Sequence, residues 1–149
     1  MEIDQLRQLL ELVSQGELSV EVAEQQLAAL QRGADVKGVT LDLDRQRRCG
    51  FPEVIYGENK TAETIISTMQ AQREFGQPSL ATRVSADKAE IVKAALEDVV
   101  YNQVARVLRW NLEGAVKVSG RVVVISAGTS DLPVAAEAVE TLIWMGITH

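Results

Sequence analysis

The sequence predicts an α/β fold: an N-terminal helical hairpin, a small α/β domain with a mixed sheet, then the first βα unit of a further, incomplete parallel-sheet domain. Three observations predict it. Residues 1–33 place apolar side chains at helical spacing. From Val39 to Trp110, strand-like and helix-like segments alternate, the pattern of helices packed on a sheet. Val122-Val123-Val124-Ile125 is a continuous apolar run, of the kind found in strands buried on both faces of a parallel sheet. The expected domains are 1–35, 36–113 and 121–149.

Each element has its own signal. Leu6, Leu9, Leu10 and Val13 fall on one helical face, and Gly16 stops that helix. Ser19 is suited to cap a second helix, with Val20, Ala23, Leu27 and Leu30 inward and a stop near Gly33. Both stripes are narrow, so the hairpin needs another surface to pack on. Val39, Leu41 and Leu43 alternate with Thr40, Asp42 and Asp44, a strand period. Gly50-Phe51-Pro52 interrupts it, and Val54-Ile55-Tyr56 reads as a short strand ending at Gly57. Thr61 caps a helix that turns Ile65, Ile66 and Met69 inward and ends near Gly76. Ser79–Val84 reads as a strand, and Ser85 caps a short helix through Ile91, Val92 and Leu96. β-Branched and aromatic residues favour strand over 99–110, with a helix over 103–110 as the open alternative. Gly114 and Gly120 bound a loop, and after Gly128-Thr129-Ser130-Asp131, Pro133 suits the first turn of a helix to about Met145.

That last unit is incomplete. A strand buried on both faces needs parallel partners, and its helix should cross over to deliver the next one. The sequence stops at Met145-Gly146-Ile147-Thr148-His149, so the expectation is a piece of a longer protein. Strand 122–125 and the apolar side of helix 133–145 are then open edges, expected to drive self-association. The βα unit itself is expected to be displaced, or docked on a neighbouring molecule.

Composition narrows the class of function. Hydrophobic residues make up 46% of the 149, which excludes intrinsic disorder, and one cysteine excludes a disulfide scaffold. No apolar run approaches the roughly 20 residues that span a bilayer, and Met1-Glu2-Ile3-Asp4 opens no secretory signal. A cytoplasmic location, away from membranes, is expected. Fifteen Lys and Arg oppose 21 Asp and Glu, and the excess acid sits mostly in the first 35 residues. Nucleic-acid binding wants the opposite charge.

The most informative site is the turn after the apolar run. Ligands of parallel βα units sit beyond the carboxyl end of the strand, at the helix N-terminus. There Gly128 permits close backbone approach, Thr129 and Ser130 add hydroxyl donors, and free N–H groups attract an anion such as phosphate. Asp131 repels phosphate and is suited instead to a ribose hydroxyl or to capping the helix. A capped turn without ligand is the competing reading. Arg45, Arg47 and Arg48 form a basic cluster able to hold one anionic small molecule, or simply a solvated turn.

Four motifs in order carry a resemblance: Leu41-Asp42-Leu43-Asp44-Arg45 with Arg48; Gly50-Phe51-Pro52-Glu53-Val54-Ile55 with Gly57 and Lys60-Thr61; Ala81-Thr82-Arg83-Val84; and Ala127-Gly128-Thr129-Ser130-Asp131-Leu132-Pro133. Together they resemble the LarB family, whose C-terminal domain is flavodoxin-like and similar to AIR carboxylases. Purine-pathway AIR carboxylases carry Ser-x-Ser-Asp at this turn, and here Gly128 replaces the first serine. The resemblance implies carboxylation of the pyridinium ring of nicotinic acid adenine dinucleotide with CO2 or bicarbonate. The phosphoanhydride is cleaved and AMP released, a step in nickel-pincer cofactor biosynthesis. It implies these as substrates with no permanently bound cofactor, and a homo-octamer for the complete protein. Circadian phase modifier proteins resemble the same family, so a regulatory role is the alternative.

The family's nucleophilic cysteine lies in a C-terminal half that this sequence does not contain, so no catalytic residue is assigned here. Cys49 lies outside the matching positions and is expected to be a small, partly buried residue. With one Cys and one His (His149), no zinc site is available in one chain. Arg45, Arg48 and Arg83 fall inside the motifs as candidate anion contacts, the alternative being ion pairs with Asp42, Asp44 or Glu53. Lys60 is either a further anion contact or a solvated loop lysine.

Overall fold

A computed structural model describes residues 3–24, 35–36, 39–43, 45–111 and 118–148. Its centre is a four-stranded mixed sheet in the order β3-β4-β6-β5. β3 (Ile55–Tyr56) runs parallel to β4 (Ser79–Thr82), while β6 (Val107–Trp110) is antiparallel to both β4 and β5 (Val100–Asn102). The fold class is therefore α/β with a mixed sheet.

Side chains that alternate along a strand face opposite layers, and both layers are filled. Ala81 and Leu108 pack with Ile65 and Met69 of α3 (Ala62–Glu74) and with Ala89 and Val92 of α4 (Ala86–Ala95). Their neighbours Leu80 and Val107 turn the other way, onto Ala105 and Trp144. Trp144 ends α5 (Leu132–Trp144), so the sheet carries α3 and α4 on one face and α5 on the other. Every residue of β4 is buried, making it the doubly covered strand.

Local chemistry sets the boundaries. Thr61 caps α3, its side-chain oxygen accepting the Thr64 N–H at 3.2 Å, and Gly76 ends the helix at φ +66°. Arg83, at φ +56°, ends β4 two residues earlier than expected. Residues 99–110 do not form one strand. The Asn102 Oδ1 accepts the Ala105 N–H at 3.1 Å and Arg106 takes φ +55°, folding 103–106 into the turn between β5 and β6. That also closes the helical alternative for 103–110.

Two expected strands move. The period-two segment forms a strand only at β2 (Val39–Thr40), paired antiparallel with β1 (Asp35–Val36). Beyond it the Asp42 N–H donates to the Glu53 carboxylate at 3.0 Å, leaving the ladder, and Leu43 C=O accepts from Gln77 at 2.7 Å. Asp44 lies outside the described residues. Arg45–Cys49, expected as a turn, is a short helix, α2.

The second strand shifts upstream. β7 spans Val118–Arg121 and pairs parallel with β8 (Ile147–Thr148), so α5 is the crossover of a βαβ unit, as the last helix was expected to be. Residues 122–127 are irregular, with Val123 73% and Ile125 88% exposed. The apolar run signals burial, but among the described residues the adjacent ladder pairs only Val118 and Arg121 with β8 and stops before the run begins. The expected strand buried on both faces is therefore absent here. Nor is its helix displaced onto a neighbour: α5 seats on this chain's own sheet.

At the N-terminus, α1 (Ile3–Ser14) ends before Gly16 at φ +73°. Ser19 accepts the Val22 N–H at 3.3 Å and residues 20–24 are helical again; the expected remainder of that helix, 25–33, lies outside the described residues. Leu10 and Val20 are more than half exposed, whereas Leu6, Leu9 and Val13 are partly covered and Ala23 is buried.

Candidate functional site

The polar turn sits at the start of α5. Gly128 takes φ +103°, a conformation that favours glycine, and leads through a 3-10 turn, Thr129–Asp131, into the helix. Pro133 occupies the first helical turn. All four residues Gly128, Thr129, Ser130 and Asp131 are exposed. Asp131 stands at the cap position yet makes no side-chain capping bond. The reading of Asp131 as the cap is thus corrected.

The candidate arginines are spread along α5. Arg83 projects from the end of β4, its Nε 3.2 Å from the Glu137 carboxylate. It does form an ion pair, with a helix acid and not with Asp42, Asp44 or Glu53. Arg48 pairs with Asp42. Arg45 lines a cavity of about 410 Å³ with Cys49, Phe51, Glu53, Trp144 and Met145, at the carboxyl end of α5. At 1.5 Å per residue, that end lies roughly 20 Å from the 128–131 turn. One compact cluster of all the candidates is not what the fold builds. Cys49 is exposed, not partly buried. Lys60 lies in the turn after β3, where its own N–H donates to the Gly57 C=O at 3.3 Å.

Several residues that sequence reasoning did not single out hold this arrangement together. Glu140 is 7% exposed and takes Asn102 Nδ2 on one oxygen and Arg109 Nε on the other, each at 2.9 Å. Arg109 continues to Asn111 Oδ1 at 3.1 Å. A buried carboxylate survives where its oxygens are paired in this way. Glu137 and Glu140, three apart on an otherwise apolar helix, were the available signal, since neighbours at that spacing share a face. At the carboxyl ends of β3 and β4, Lys88 Nζ donates to the Gly57 and Glu58 carbonyls, at 3.1 and 2.9 Å. Tyr56 donates to Glu58, and that bond raises its pKa above the usual phenol value. Among the described residues no cluster of three His, Cys, Asp or Glu side chains is placed to hold a metal ion. None of the described helices is long and apolar enough to cross a membrane.

Residues 34–112, just over half of the chain, match the family described as the LarB/PurE-like N-terminal domain. The chain belongs to this family. It is also 36% identical over 148 residues to an uncharacterized protein of Methanocaldococcus jannaschii, an alignment covering 95% of this chain and 58% of that protein. The chain thus spans less than two thirds of that relative's length. Within the LarB/PurE-like region lie Arg45, Arg48, Lys60 and Arg83, together with the whole four-stranded sheet. The 128–131 turn falls beyond the family match.

Proposed function

We propose that this chain is the N-terminal part of an enzyme that carboxylates the pyridinium ring of nicotinic acid adenine dinucleotide and releases AMP. The family match over 34–112 carries this reading. Supporting it, the β7-α5-β8 unit presents a polar, uncapped turn where parallel βα units receive phosphate. In this reading the 128–131 amides and the Thr129 and Ser130 hydroxyls hold the phosphoanhydride, and Asp131 accepts from a ribose hydroxyl. Arg83, Arg45, Arg48 and Lys60 are candidate anion contacts on the domain beside it.

Carboxylation joins CO2 to a ring carbon with loss of its proton, and water cleaves the phosphoanhydride. A cysteine nucleophile, supplied outside this chain, would add transiently to the electron-poor ring and make the reacting carbon nucleophilic. The substrates leave no permanently bound cofactor. The complete protein is proposed to act as a homo-oligomer. Incubating the full-length protein with the dinucleotide and bicarbonate should release AMP and a carboxylated mononucleotide. Absence of both products would overturn the reading, and Asp131→Ala should impair the reaction by about ten-fold or more.

A further inference from the structure

The cavity at the carboxyl end of α5 has aromatic and apolar walls that the dinucleotide reading, which draws only on Arg45 there, does not use. Its volume, about 410 Å³, falls in the range of small-molecule sites. Phe51, Pro52, Val54, Trp144 and Met145 supply apolar walls. The Phe51 and Trp144 rings lie 6.1 Å apart at 37°, an aromatic corner with Phe51 half-buried. A flat ring gains most from such walls, through ring contacts and sulfur–aromatic contact with Met145.

Charge selects what the ring carries. On α2, Arg48 is committed to Asp42, and Arg47 is engaged as well. Arg45 lines the cavity, and its guanidinium bonds to no other group among the described residues. Glu53 shares the wall, one carboxylate oxygen held by the Asp42 N–H. Arg45 offers one positive charge, and Glu53 in the same wall repels a dianion about twice as strongly as a monoanion. A dianionic phosphate would meet repulsion from Glu53, whereas a carboxylate suits the bidentate fork of Arg45.

We propose that this cavity binds a planar aromatic monocarboxylate, its carboxylate on Arg45 and its ring against Phe51 and Trp144. The site lies roughly 20 Å from the 128–131 turn by the length of α5; it shares Arg45 with the dinucleotide reading but does not rest on it.

Cys49, in the cavity wall and the chain's only cysteine, reports occupancy. The 149-residue chain is alkylated with iodoacetamide in the presence of benzoate. Benzoate at twice its dissociation constant should slow alkylation about three-fold, and the effect should saturate. Acetate and inorganic phosphate at equal ionic strength should leave the rate unchanged. Arg45→Gln, a substitution at an exposed position, should abolish protection without moving the unfolding midpoint. Protection by acetate or phosphate equal to that by benzoate would overturn the proposal, as would undiminished protection in Arg45→Gln. No protection at millimolar benzoate would overturn it too. Benzoate protection of the unmodified chain reads this cavity whether or not the full-length protein turns over the dinucleotide, so the two failures are distinguishable.

Discussion

Gly57 is held in a space with no room for a side chain. A Cβ built there would meet Val84 Cγ2 at 2.7 Å and the Thr82 carbonyl at 2.9 Å, while its N–H donates to that same carbonyl at 2.8 Å. Gly57→Ala should therefore destabilise the chain by about 1–3 kcal/mol, measured by urea unfolding. As a strand terminator this glycine was legible in the sequence; its contact with the end of β4 was not, because that depends on a strand more than 20 residues away. Tyr101 gives a pH dependence. Its hydroxyl donates to the Val84 carbonyl at 3.0 Å, and burial raises its pKa above the ordinary 10.0. The folded state then holds this proton more tightly than the unfolded state. Its contribution is fully present below the unfolded pKa and is lost as pH rises through the folded one. Stability should fall as pH rises above about 10, and fall less in Tyr101→Phe. That substitution should itself cost about 1 kcal/mol at neutral pH from the lost bond.

At the scale of elements, α5 shows what a sequence can and cannot disclose. Its apolar run, Pro133 and the preceding glycine turn identify a helix, and the residues after it begin the crossover strand that such a unit requires. Its docking partner was not legible, because a stripe of apolar residues says that a face is covered but not by what. The acids at 137 and 140 meet Arg83 and Arg109 from two strands, contacts that only the sheet order creates. Likewise the run at 122–125 marks apolarity, whereas strand identity depends on a ladder partner elsewhere. Glu140→Ala would leave Arg109 buried without its counter-charge and should cost about 3–5 kcal/mol in urea unfolding. Helix α3 offers the local counterpart. Thr61→Ala removes its one capping acceptor and should cost about 1 kcal/mol.

For the whole molecule, the alternation of strand and helix predicted the α/β sheet over 39–110, since periodicity reports which face of each element is buried; the layer that α5 adds on the sheet's other face was not expected. The candidate site was legible residue by residue but not as an arrangement. Arg45, Arg83 and the 128–131 turn sit at three points along α5, and their spacing depends on how that helix lies on the sheet. Beside it Val122, Val124, Val134, Ala138 and Leu142, with Glu137 and Thr141 among them, line an open and mostly apolar groove. Such a surface should drive self-association, which light scattering of the 149-residue chain at micromolar concentration would detect; a monodisperse monomer would contradict it.

Everything proposed about the site requires the turn-bearing helix and the family domain to be one folded unit. Hydrogen exchange of the amides between residues 135 and 144 tests this most directly. Trp144 is 4% exposed against Leu80 and Val107, and Glu140 is paired on both oxygens. These amides should therefore exchange as slowly as those of β4 and β6, and Trp144→Ala should release them while the sheet stays protected. Fast exchange along α5 in the unmodified chain, beside a protected sheet, would contradict the account.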